Sequence, residues 1–212
     1  MKTTIAVLTA TLAATSFAES TPVMVSLVTP VQVPSRNYDV TGFRLSLLYG
    51  DCKNFKGFDL GVVQRTADDF SGLAIGGVNY VGERFVGAQV GLVNWCSSAA
   101  TDWDSRPIGL QLGIVNYADS FGGLQDGLLN ISRTSFLGWQ DGPLNFAGDM
   151  KGLQSGIWLI GAINFASGNV NGVQVGLVNF ANTMENGIQI GIVNIIANNG
   201  WLPLLPIING GF

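Results

Sequence analysis

Residues 172–179 read GVQVGLVN and residues 187–194 read GIQIGIVN, so Gly, Gln, Gly and Asn return to the same slots fifteen residues later. With the octet numbered from its first glycine, slots two, four and six are aliphatic, and slots one, three and five are Gly, Gln and Gly. That is alternation of period two, which marks an extended strand rather than a helix. Glycine is poor in helix interiors, and each run breaks at polar turn residues such as Asn182-Thr183-Met184-Glu185-Asn186. The chain is therefore read as all-β.

Counting outward from these octets, Asn79, Asn94, Asn116, Asn130, Asn145, Asn164, Asn179 and Asn194 close successive copies. Tyr49 and Gln64 take that slot in the first two copies, and a degenerate last copy ends at Asn209. The end slots step by 15, 15, 15, 22, 14, 15, 19, 15, 15 and 15 residues, with insertions in 95–106 and 156–163. A short fixed period over most of a chain is the signature of a repeat architecture. One copy cannot fold alone, because ordering each backbone residue costs about 1–2 kcal/mol and three aliphatics return only about 1.5–3 kcal/mol apiece. Stability must come from stacking between copies.

Two stackings fit the period. In a β-solenoid of about eleven 15-residue coils, like slots align in columns about 4.8 Å apart. Slots two, four and six would then point inward, the Gln column outward, and the Asn column would form a structural ladder at a corner. In an up-and-down transmembrane β-barrel of about twelve strands, slots two, four and six would face lipid. The solenoid is preferred because the connections are equally short at both ends. Asp126 and Asp141 at slot four would also meet hydrocarbon in a barrel.

Residues 1–18 carry Lys2, an apolar run and a Ser16-Phe17-Ala18 ending, which reads as a secretory signal peptide cleaved after Ala18. Residues 19–41 are then a lead-in or cap, and 42–212 the repeat domain. Charged residues are only 11% of the chain, Gly numbers 29, and the net charge is −4. No basic patch points to nucleic acid. The chain has no histidine, which removes the usual serine and cysteine triads and histidine metal sites. No cofactor or metal is implied.

The G-[LIV]-Q-x-G-[LIV]-[LIV]-N unit, with its Gly200-Trp201 to Asn209 ending and terminal Phe212, resembles the bacterial surface-repeat proteins, exported from Gram-negative bacteria. The likeness spans residues 40–212. It implies envelope or surface location and nothing catalytic. The early copies depart from it: Arg44, Asp59 and Ala74 stand where Gln is usual, as a solenoid cap would.

Three features are candidate sites. Asp126, Asp141 and Ser155 fill slot four in the middle copies, where Leu, Ile or Val is usual. Carboxylates in adjacent coils would lie about 5 Å apart, so that either a hard cation bridges them or the coil opens and solvates both. The Gln column, if outward, offers an amide row to an extended polymer. The longest insertion brings Trp95, Asp102, Trp103 and Asp104 into one loop, the kind of element that carries recognition on a rigid scaffold. Cys52 and Cys96 lie three coils apart, about 14 Å, too far for a disulfide. The function expected is a non-enzymatic structural, adhesive or interaction role at the cell surface or outer membrane, or in secreted form; the barrel alternative would be an outer-membrane pore or scaffold. Partners would be the outer membrane or another surface component.

Overall fold

The computed structural model describes residues 19–98, 106–156 and 162–212, so the expected signal peptide lies outside the described residues. The strands are β1 (Ser20–Val28), β2 (Val31–Val33), β3 (Asp39–Cys52), β4 (Phe55–Thr66), β5 (Phe70–Val81) and β6 (Phe85–Cys96). They continue as β7 (Ile108–Asp141), β8 (Leu144–Ser155), β9 (Ile163–Val175), β10 (Val178–Asn198) and β11 (Leu204–Gly211). They form one 11-stranded sheet in which β3 to β10 follow chain order and pair in parallel.

Like sits on like throughout: Gly72 pairs with Gly87, Gln89 with Gln111 and Asn94 with Asn116. The fold is a parallel β-solenoid of about eleven coils of ~15 residues. An up-and-down barrel needs antiparallel neighbours, which among the described residues occur only at the two ends, β1 with β2 and β10 with β11. The degenerate last copy is thus a reversed strand and not a further coil. The first copy also differs from its sequence alignment. Gly50, not Tyr49, pairs with Gln64, because one extra residue is accommodated between Ser46 and Tyr49.

The facing of the strands is the inverse of the sequence expectation. Slots three and eight, the Gln and Asn columns, are buried, whereas slot-six residues such as Leu92 and Ile192 point outward. A period-two pattern fixes which residues share a face but not which face is inside, and a change of phase turns every side chain over. The apolar core comes from two other columns. One lies two residues before slot one: Phe55, Phe70, Phe85, Phe121, Phe136, Met150 and Val170, continued by Met184, which a one-residue bulge sets three before Gly187. The other lies two residues after the Asn and is mostly small: Cys52, Val81, Cys96, Ala118, Ala147, Ala166 and Ala181. Its small side chains leave room for rings on the other wall, where Phe55, Phe70 and Phe85 stack with centroids 5.4 and 5.6 Å apart.

Each coil bends three times. Slots six and seven both point outward, and slot six drops out of the ladder, as Val62 does between Gly61 and Val63. The second bend is the polar turn, 67–69 in one coil, whose amides still bond the coil before, as Ala67 N–H does to Cys52 O at 2.9 Å. The third is the slot-one glycine with positive φ, +139° at Gly87.

Cys52 and Cys96 are both free and buried. Burial pushes the Cys52 thiol up to about 11 and the Cys96 thiol up to about 12. The thiolate is the reactive form, so at pH 8 neither cysteine is expected to react with a soluble thiol reagent in the native protein. Both should react fully in denaturant. Prompt native labelling of either would contradict the burial.

Candidate functional site

Inside the solenoid, the amides form two continuous chains of hydrogen bonds. Asn Nδ2 of each coil donates to Asn Oδ1 of the next: Asn79 to Asn94, Asn94 to Asn116, Asn116 to Asn130 and Asn130 to Asn145, each 2.9 Å. The run continues through Asn164 and Asn179 to Asn194. The Gln column runs the other way. Gln111 donates back to Gln89, Gln125 to Gln111, Gln140 to Gln125, and so on to Gln189 donating to Gln174. The two rows of amide dipoles therefore oppose each other. Asn79 Oδ1 and Gln189 Oε1, the terminal acceptors, have no hydrogen-bond partner among the described residues.

The asparagines also serve the bend. Asn Nδ2 reaches the slot-four carbonyl of the following coil: Asn94 to Leu112 O, Asn116 to Asp126 O, Asn130 to Asp141 O. The slot-four carbonyl already takes a ladder amide, as Ile190 O does from Gly176 N–H at 3.0 Å, so the Asn is its second donor. The same Nδ2 also turns back on the slot-five carbonyl of its own coil, Asn145 to Gly142 O at 2.9 Å and Asn194 to Gly191 O at 3.0 Å. That carbonyl adjoins slot six, where the ladder is interrupted, and a buried unpaired one costs about 1–3 kcal/mol. A short amide on the inner side of the bend meets that need, which is why Asn occupies the slot. Asn130→Ala is accordingly expected to cost about 2–4 kcal/mol, since it strips partners from Asn116, Asn145 and the Asp141 carbonyl. Urea unfolding followed by circular dichroism measures it, and a loss under about 0.5 kcal/mol would show the ladder to be dispensable.

At the N-terminal end of the Gln column stands an ion pair. Arg44 Nε donates to Asp59 Oδ1 at 2.8 Å and Nη2 to Oδ2. The guanidinium also meets Cys52 Sγ, Arg65 O and Thr66 Oγ1, and stacks over Phe55. Burial drives both groups toward neutrality. At Asp59 it raises the carboxyl against the pull of Arg44, while at Arg44 the Asp59 hydrogen bond and charge outweigh it and hold the guanidinium above its ordinary value. The bidentate geometry and the further acceptors around the guanidinium favour the charged pair. Arg44 and Asp59, expected as a cap, are thus core residues.

Of the slot-four polar residues, Asp126 is exposed, whereas Asp141 and Ser155 are buried, at 7% and 1% exposure. Ser155 donates to Asp141 Oδ1 at 2.8 Å and accepts from Trp139 Nε1 at 2.8 Å. Partial burial and then the charge of Asp141 hold the Asp126 carboxyl above the usual carboxylate range. Both acids line an open groove of about 480 Å³ with Leu112, Leu128 and Pro143. Among the described residues, no group of three or more His, Cys, Asp or Glu is placed to hold a metal ion. The Ser155 hydroxyl is already engaged on both sides, so the groove offers two carboxylates and an apolar wall.

Trp95 is 37% exposed and stacks on Tyr117 at 3.9 Å, in the row of residues that directly follow the Asn ladder. Asp102, Trp103 and Asp104 lie outside the described residues. The Gln row, buried from Gln89 to Gln189, is inaccessible to a polymer.

The most extensive feature is the outer apolar surface. Slot two carries Phe43, Phe58, Leu73, Leu110, Leu124 and Trp139, and slots four, six and seven are aliphatic in most coils. Sequence reasoning placed these side chains in the core. The signal that identifies the core correctly is the Phe column at fifteen-residue spacing, opposite the small residues after each Asn. Geometry thus defines the class: a parallel β-solenoid with two opposed internal amide ladders and an apolar exterior. No family model matches the chain, and neither a curated protein nor a solved structure matches it.

Proposed function

We propose that the chain is an exported, non-enzymatic repeat protein of the bacterial envelope or surface, acting by contact. One observation carries the reading: the polar amides are turned inward and the aliphatic columns outward. A face of that kind is an interaction surface, since large contiguous exposed apolar patches mark sites of protein or membrane contact. The groups that carry chemistry elsewhere are committed to structure here: the amides to ladders, Arg44 to Asp59, the thiols to the core. The apolar leader in 1–18 and the surface-repeat resemblance support export to the envelope.

The test is to produce the chain in a Gram-negative host and determine its N-terminus and location. The expected outcome is cleavage after Ala18 and recovery in the envelope fraction or medium, with the chain degraded by protease added to intact cells. An uncleaved chain retained in the cytoplasm would overturn the proposal.

A further inference from the structure

We infer that the bend between slots six and seven is a keel that inserts into a lipid bilayer surface; this rests on the envelope reading above. At slot six it carries Val62, Leu92, Ile114 and Leu128 in the first half and Leu177 and Ile192 in the second, with Gly77 and Pro143 interrupting the aliphatic row. Leu92 is 58% exposed and Ile192 66%. At about 4.8 Å per coil the keel runs on the order of 40 Å.

Three observations select a bilayer as its occupant. The first is the distribution of charge. Among the described residues, slots six and seven carry no ionisable group except Tyr49, and slot two carries none. The turns and the strand that follows them, on the side of the coil away from the keel, carry Lys53, Asp68, Glu83, Arg84, Asp149 and Lys151, among others. The section is therefore apolar at one apex and ionic on the side opposite.

The second is a band of aromatic side chains at slot nine, two residues above the keel on one flank. It holds Tyr80, Trp95, Tyr117, Phe146, Phe165 and Phe180, with Phe165 and Phe180 stacked at 4.7 Å. Two residues of strand are about 7 Å, the depth to which interfacial elements bury their apolar face, and Trp and Tyr favour the headgroup level. On the other flank, the exposed Asp126 stands two residues above slot six, at the same level and clear of the hydrocarbon.

The third is that the keel's backbone needs no water. Hydrocarbon tolerates only peptide groups that are satisfied internally. Here the Asn column bonds the slot-five carbonyls that lead into the bend, as Asn145 does Gly142 O at 2.9 Å and Asn194 does Gly191 O at 3.0 Å, and coil pairs to coil across it, as Val193 N–H does to Leu177 O at 2.9 Å. A second copy of the chain fits less well. A convex keel meets another keel only along a line, and face-to-face pairing through slots two, four and six would bury the exposed Asp126.

The test uses the exported chain, its N-terminus checked by mass, in flotation with phosphatidylcholine vesicles. Co-flotation is expected, unchanged by salt, because the keel carries no charge for an anionic headgroup and salt screens only charge. Adding phosphatidylglycerol to the vesicles should not strengthen it. Leu92→Lys with Ile114→Lys should lower vesicle partitioning at least tenfold, and Leu177→Lys with Ile192→Lys should do the same from the other half of the keel. Val86→Lys, exposed on the side away from the keel, should leave it within twofold. Absence of flotation by the unsubstituted chain overturns the inference, and so does flotation that both keel pairs leave intact. A dimer in detergent-free sedimentation that the keel substitutions dissociate, with no vesicle binding, assigns the keel to a second copy instead. Failure here with export and processing intact removes the bilayer contact and leaves the envelope reading standing.

Discussion

Asp59→Ala destabilises the fold by about 3–5 kcal/mol, because it strands the Arg44 guanidinium in the interior without its counter-ion. Arg44 is 1% exposed. Its remaining acceptors are neutral: Arg65 O at 2.9 Å, Thr66 Oγ1 at 3.2 Å and Cys52 Sγ. Removing both charges behaves differently. Arg44→Gln with Asp59→Gln continues the amide column that occupies the same slot from Gln89 onward, and a buried ion pair replaced as a unit is often near neutral. The double variant should therefore be more stable than Asp59→Ala by at least about 2 kcal/mol. Urea midpoints at constant slope provide the comparison. A single variant as stable as the double would mean that Arg44 finds water, contrary to its burial.

Gly87→Ala is the second severe change, with an expected loss of about 3 kcal/mol or more. Gly87 has φ +139°, a region that side-chain-bearing residues enter at roughly 1–3 kcal/mol. An added Cβ would also overlap the carbonyl oxygen of Gly72 in the coil below, which is backbone and cannot swing aside. Relief requires the two coils to separate, and parallel coils share every ladder bond. The adjacent Val86→Ala, at an exposed site, should stay within about 0.5 kcal/mol. Thermal unfolding of the two proteins side by side decides it; equal midpoints would show that slot one tolerates a side chain. The same clash recurs at Gly72, Gly109 and Gly138, so slot one is glycine because the bends of successive coils touch there.

Several elements were legible because they are local and repeated. The fifteen-residue step gives the coil, and the near-identity of successive copies gives parallel stacking, since only a parallel register puts Gln on Gln and Asn on Asn. The Asn ladder was legible for the same reason: an amide that recurs at one slot has another amide as its neighbour. The aspartates were recognised as misfits at slot four, but their surroundings were not. Ser155, fourteen residues from Asp141, meets it only through the stacking, which also brings Trp139 Nε1 onto the Ser155 hydroxyl. The Arg44–Asp59 pair was likewise visible only as two departures from the Gln pattern, since charge complementarity between coils has no signature within one copy.

Two readings failed for identifiable reasons. The reversed β11 could not be told from a coil, because Asn209 mimics the repeat while the direction of the strand is set by the turn at Asn199, with φ 61°. The facing of the columns failed because hydrophobic alternation was taken to mean that aliphatic residues are inside. In this fold the interior of the bend must supply donors to its own carbonyls, and columns of amides do that better than aliphatics can.

Periodicity along the chain was enough to establish the repeat, the strand and the parallel register, since each depends on residues near in sequence or identical between copies. The direction in which each column points, the ion pair closing the Gln row and the assembly of a keel depend on how backbone carbonyls are satisfied at a bend and on which coils touch. Those are properties of the closed coil, and no single octet contains them.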